Sequence, residues 1–237
     1  MPMCFFHDNY VTLHRNLDYI SNMIIAIDGF TEANRIRKAS ELGVGWIGLN
    51  FVPGSPCEVR QLSSLTGILP DNPSLQPTGL GHDTELMGIF CDAMPQTIIA
   101  RTYNYNLGVV RLDGTESTVL IDNLRRSVDP DIRPGLKIVK TLKVLQPQDV
   151  MLGNEYAPHA DYLLFDMGDA LWSWLSDYEG DTPFLISAHL DEGGATRMRS
   201  FHHPRLAGYS LGAQMKLPDG QISIAKVRQL MARLNKM

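Results

Sequence analysis

The chain has 237 residues, 44% of them hydrophobic and 20% charged, and a formal net charge of −5. That length suits one domain with a substantial core. The interspersed charges give nucleic acid no basic footprint, and no apolar run is long enough to span a bilayer. Three widely spaced cysteines, Cys4, Cys57 and Cys91, fit neither a disulfide framework nor a structural zinc site.

Residues 1–22 read as an N-terminal extension in which Val11, Leu13, Leu17 and Ile20 can form one or two helical turns over the floor of the following domain. They lack the basic start and apolar stretch of a secretion signal, so a cytoplasmic location is expected. From there short apolar runs alternate with helical patterns: Met23–Ile27, Trp46–Phe51, Leu86–Phe90, Val109–Leu112, Leu136–Lys140, Tyr162–Phe165, Phe184–Ile186 and Leu206–Leu211. Most begin one βα unit after the last, the rhythm of parallel strands joined by crossover helices. Eight such units over residues 23–237 predict a single (β/α)8 TIM barrel of the α/β class, whose active site belongs at the C-terminal ends of the strands.

Between the strands, Ala33, Ile36, Ala39 and Leu42 mark one helix face and Ile224, Val227, Leu230, Met231 and Leu234 another. Pro70, Pro73 and Pro77 make the stretch Leu69–Asp83 a loop. Leu171–Leu175, with two of the three tryptophans, reads as a short helix packed on the barrel.

Two motifs mislead. Gly43, Gly45 and Gly48 have dinucleotide-fingerprint spacing, but they follow a helix and enter a strand, the reverse of what that motif needs. Gly43 fits a helix cap, and Gly48 a small residue in a crowded barrel. His202 and His203 are adjacent in sequence and point apart, so a surface pair is expected rather than a metal site. No metal and no organic cofactor is expected.

The stretch Met23 to Val59, MIIAIDGFTEANRIRKASELGVGWIGLNFVPGSPCEV, resembles the opening of the phosphoribosylanthranilate isomerases, with their Lys-[Ile/Val]-Cys-Gly start, Gly-Phe-x-Phe second strand and Ser-Pro-Arg. Collinear likenesses follow at Met87–Phe90, Val110–Gly114, Leu163–Asp166, Pro183–Leu190 and Leu206–Lys216. The resemblance implies an Amadori aldose–ketose isomerisation of the tryptophan-biosynthesis type, acting on a small phosphorylated sugar-amine. In the family a strand-one cysteine is the base and an aspartate ending strand six is the acid. Asp166 keeps the acid, and Asp28 stands where the cysteine would be.

By the same likeness Cys57, Arg111 and Asp113 occupy substrate-binding positions, with Cys57 replacing an arginine, Arg111 a glutamine and Asp113 a histidine. Ser187, Ala188, His189, Gly212 and Ala213 occupy the phosphate turns. The flexible Gly-Gly-[Thr/Ser]-Gly lid of the family is absent after Asp166, and its first-strand lysine is Ala26.

Asp28 is either the replacement base or a hydrogen-bond acceptor at a strand end. His189 and Lys216 either supply new positive charge or serve as capping and surface groups. Three carboxylates at one mouth are expected to raise the pKa of at least one of them and to repel a doubly charged substrate. Three functions stay open: the inherited isomerisation with an Asp/Asp pair, the isomerisation of another sugar phosphate, and a non-catalytic role binding a metabolite or protein. Both a monomer and a homodimer suit the fold.

Overall fold

A computed structural model of the chain describes residues 23–59, 80–81, 83–168, 170–187 and 194–235. The expected N-terminal extension and nearly all of the proline-rich loop lie outside them, as do Ala188 and His189.

The eight strands form in the expected places: β1 Ile24–Asp28, β2 Trp46–Asn50, β3 Glu85–Phe90, β4 Val109–Leu112, β5 Lys137–Lys143, β6 Tyr162–Asp166, β7 Phe184–Ser187 and β8 Leu206–Leu211. Each pairs in parallel with the next, and β1 pairs with β8 through Ile24 to Ile27 and Gly208 to Leu211, closing the barrel. The connections carry α1 Ala33–Glu41, α2 Pro95–Tyr105, α3 Thr118–Val128, α4 Gly153–Tyr156, α5 Gly194–Ser200 and α6 Ile224–Asn235.

Strand side chains alternate between two cores. Ala26, Trp46, Met87, Ile89, Val109, Val139, Leu164 and Leu185 fill the barrel interior. The intervening residues, such as Ile25, Ile27, Val110, Leu112, Ile138, Leu163 and Phe165, pack outward with Ile36, Ala39, Ile98, Ile121, Leu124 and Val227 of the helices. The residues expected on one face of α1 and of α6 therefore bury that face against the sheet, as a 3.6-residue period requires.

Gly43 follows the last turn of α1 with φ +84, a left-handed conformation that side chains other than hydrogen resist. A β-carbon at Gly48 would lie 2.7 Å from Asp28 Cβ, so the strand-two glycine makes room for the strand-one aspartate. The tryptophan-rich stretch is a 3-10 helix, Trp172–Asp177, with Trp172 buried between Phe201 and Tyr209 at centroid distances of 5.9 and 5.6 Å.

The histidine pair divides. His202 is exposed, but His203 is half-buried, its ring 4.9 Å from that of Phe184. Its Nε2 contacts the Tyr178 carbonyl at 3.1 Å, and Nδ1 accepts from the Arg205 amide at 3.0 Å. That pattern uses the neutral ring, one nitrogen donating and one accepting. Burial pushes the His203 pKa below its ordinary value, and the Arg205 cation pushes the same way, against the Tyr178 hydrogen bond.

Because the unfolded chain then binds the proton more readily, stability rises with pH between the folded value and about 6.5 and is lost below it. Thermal melts at pH 7.5 and 5.5 are expected to show a smaller acid-induced fall in Tm for His203→Gln than for the unaltered protein. An equal fall would assign the acid sensitivity elsewhere.

Candidate active site

Polar residues appear two positions beyond the apolar interior layer on strand after strand: Asp28 after Ala26, Arg111 after Val109, Thr141 after Val139, Asp166 after Leu164 and Ser187 after Leu185. Period two keeps each on the inward face, one layer nearer the C-terminal end. There they line a 260 Å³ cavity together with Asp113, Ser210, Gly212, Gln214 and Lys216. The barrel thus gathers residues up to 188 positions apart from the ends of six strands and two loops.

Arg111 organises this cavity. Its side chain is 8% exposed. Nε and Nη2 donate to the two carboxylate oxygens of Asp113 at 2.9 and 2.8 Å, a bidentate pair. Nη2 also donates to Asp28 Oδ2 at 3.1 Å, and Nη1 reaches Ser210 Oγ at 3.3 Å. Thr141 Oγ1 donates to Asp113 Oδ1 at 2.6 Å.

Asp113 is not a carboxylate that the crowded mouth raises. Burial works to raise its pKa, but the Arg111 charge and hydrogen bonds, with help from Thr141 and Lys140, outweigh it and leave the carboxyl below its ordinary value. Arg111 is itself shifted upward: burial opposes its charge, and the charges of Asp113 and Asp28 prevail. The Asp113 carboxylate is therefore stabilised with Asp28 nearby, because the Arg111 guanidinium lies between the two.

Asp28 is fixed from two sides. Arg111 holds one oxygen, and the other lies against Gly212, directly after β8, where it leaves no room for a β-carbon. Gly212→Ala is expected to displace the carboxylate from Arg111 and to cost about 1–3 kcal/mol in stability, measured by urea unfolding. Stability within error of the parent would mean that Asp28 moves aside freely. Lys216 is the second cation of the cavity. Its side chain crosses over Gly29, whose added β-carbon would be 2.9 Å from Cε and 3.5 Å from Nζ.

Not every residue expected at the site reaches the cavity. Cys57 is buried, its Sγ 3.4 Å from the Gly220 carbonyl, and it does not line the cavity wall. Ser187 and Gly212 do line it. Ala213 begins the short 3-10 turn Ala213–Met215 directly after β8. Residues 167–171 join β6 to the 3-10 helix at Trp172, with Met167 buried.

Thr141, Ser210 and Gln214 were not anticipated. The first two were signalled by strand parity, Thr141 standing two after Val139 and Ser210 two after Gly208. Gln214 lies in an irregular turn where parity gives no guide. Among the described residues no three His, Cys, Asp or Glu side chains come together as metal ligands would, and no helix is long and apolar enough to cross a membrane.

The arrangement offers two strand-end carboxylates, Asp28 on β1 and Asp166 on β6, on walls separated by β7 and β8. Hydroxyls and an amide lie between them, and one guanidinium orients the first carboxylate. Such a pair can move protons at two positions of a ligand held across the mouth.

No protein-family model matches the chain. The N-(5'-phosphoribosyl)anthranilate isomerase of Parabacteroides distasonis is 27% identical over 226 residues, covering 90% of this chain and 93% of that relative. Its counterpart from Phocaeicola vulgatus is 26% identical over 200 residues, covering 81% and 87%. A phosphoribosyl anthranilate isomerase solved with reduced 1-(o-carboxyphenylamino)-1-deoxyribulose 5-phosphate superposes with a TM-score of 0.72 at 18% identity, covering 90% of this chain and 98% of its own. The Thermus thermophilus enzyme gives 0.69 at 19% identity over the same shares.

Proposed function

We propose that this chain, a divergent relative of the phosphoribosylanthranilate isomerases, is an aldose–ketose isomerase of the Amadori type in which Asp28 is the base and Asp166 the acid. The observation that carries this reading is that both carboxylates, at the positions matching the family's base and acid, open on one cavity at the C-terminal end of the barrel. A phosphorylated sugar-amine lying across the mouth would receive a proton from Asp166 on its ring oxygen, and the ring C–O bond would break to leave a C1 iminium. Asp28 would then take the C2 proton, giving an enolamine that tautomerises to the ketose. Side chains alone carry both transfers.

Cytoplasmic, small-molecule metabolism is the setting this reading implies. The short connection after Asp166 and the exchange of the first-strand cysteine for aspartate make it an altered isomerase rather than a copy of its relatives. A second reading rests on Arg111, whose engagement of both Asp28 and Asp113 would also suit a barrel that binds a metabolite without converting it.

The test is loss of fluorescence of freshly generated phosphoribosylanthranilate on adding purified protein. Turnover that disappears in both Asp28→Ala and Asp166→Ala is the expected result. No turnover above those variants, either of phosphoribosylanthranilate or of its N-phenyl counterpart without the carboxylate, would overturn the isomerase reading and leave the binding one.

A further inference from the structure

We propose that the cavity takes a singly phosphorylated amino sugar whose amine substituent carries no carboxylate. This rests on the isomerase-type reading of the same cavity and narrows its substrate class. With Asp166 carrying the proton that the isomerisation requires, two carboxylates, Asp28 and Asp113, line the cavity against two cations, Arg111 and Lys216. Arg111 is spent within the protein. Four of its five N–H groups face acceptors, namely both oxygens of Asp113, Asp28 Oδ2 and Ser210 Oγ.

An anion approaching Arg111 therefore meets a guanidinium already flanked by two carboxylates, a group of net negative charge in a poorly screened site. Among the described residues Lys216 is the remaining cavity cation, in no ion pair. One cation provides for one anionic group. The rest of the described wall is neutral, Leu164, Gly212 and Gln214 with the hydroxyls of Thr141, Ser187 and Ser210, and those hydroxyls match the hydroxyls of a sugar. A ligand with a phosphate at one end and a carboxylate at the other would leave its second anion facing acidic side chains.

The test uses two stable probes, reduced 1-phenylamino-1-deoxyribulose 5-phosphate and its o-carboxy counterpart, titrated calorimetrically into the full chain. The uncarboxylated probe is expected to bind about tenfold tighter or better, since a like charge placed against half-buried carboxylates is disfavoured. Asp113→Asn removes one of the opposing charges and keeps the side chain's shape. It is expected to shrink that preference severalfold, chiefly by tightening the carboxylated probe. Lys216→Met is expected to weaken both probes alike.

Equal or tighter binding of the carboxylated probe by the unaltered protein overturns the inference and leaves the isomerase reading standing. So does an Asp113→Asn variant that changes both probes by the same factor, or a Lys216→Met variant that changes neither. Failure of both probes to bind overturns the inference and the isomerase reading together.

Discussion

Asp166→Asn is expected to lower kcat for the isomerisation by about 100- to 10,000-fold, the usual range for a positioned general acid. Asparagine preserves the size of the side chain and its place at the end of β6, yet it cannot deliver a proton to a departing ring oxygen. The Asp166 side chain makes no hydrogen bond or ion pair among the described residues, and the backbone carbonyl accepts from Val144 whatever the side chain is. The substitution therefore leaves the fold and the cavity walls as they are. Tm and the affinity for a non-reacting ribulose 5-phosphate amine should stay close to the parent values while kcat falls. A rise in KM with kcat preserved would mean that Asp166 binds substrate rather than protonating it. Asp28→Asn separates the two carboxylates, because it weakens the contact with Arg111 as well as removing the base, and so should lower both kcat and stability.

The barrel was legible because its parallel strands are buried on both faces and so read as apolar runs. What was misjudged follows from the same cause. Four strands run past their expected ends: β1 to Asp28, β5 through Thr141 to Lys143, β6 to Asp166 and β7 to Ser187. Those ends are polar because they line or rim the mouth, so hydrophobic run length undercounts a barrel strand at the end where chemistry occurs. Phe51 shows the opposite error. It lies beyond β2 and is buried by stacking on Phe90 at 5.3 Å, outside the strand.

Pairing across the cavity was hidden for a different reason. Arg111 and Asp28 are 83 residues apart, and nothing local announces their contact. The link between Arg111 and Asp113 was available, since positions two apart near a strand end share a face. Comparison with a family pattern presents the two as separate losses of substrate contacts. Geometry makes them one exchange, in which a new cation is held by a new anion.

Lys140→Met is expected to destabilise the protein by about 3–5 kcal/mol, the cost of leaving a buried partner charge without its counterion. Lys140 lies on the outward face of β5, and its side chain and that of Glu116 are 2% and 1% exposed. The ammonium donates to Glu116 Oε2 at 2.9 Å and to the carbonyls of Leu112 and Gly114 at 3.3 and 2.5 Å, and it lies 5.6 Å from the centre of the Tyr156 ring. Glu116 Oε1 accepts from the Asp92 amide at 2.8 Å, and Asp92 Oδ1 accepts from the amide and hydroxyl of Thr115 at 2.6 and 2.9 Å. One buried lysine therefore ties the loops after β3 and β4 to β5.

Methionine fills most of the space but strands the Glu116 carboxylate, and two carbonyls lose their donor. Replacing both partners, Lys140→Met with Glu116→Leu, should cost less than the two single changes added together, because no charge is then left unpaired. Urea unfolding of the four proteins measures this directly, and strict additivity would show that the ion pair is not the coupling element. The effect extends to the cavity. Asp113, which holds Arg111, immediately precedes Gly114, whose carbonyl Lys140 holds. Loss of Lys140 should therefore loosen Asp113 and lower turnover even at temperatures where the variant remains folded.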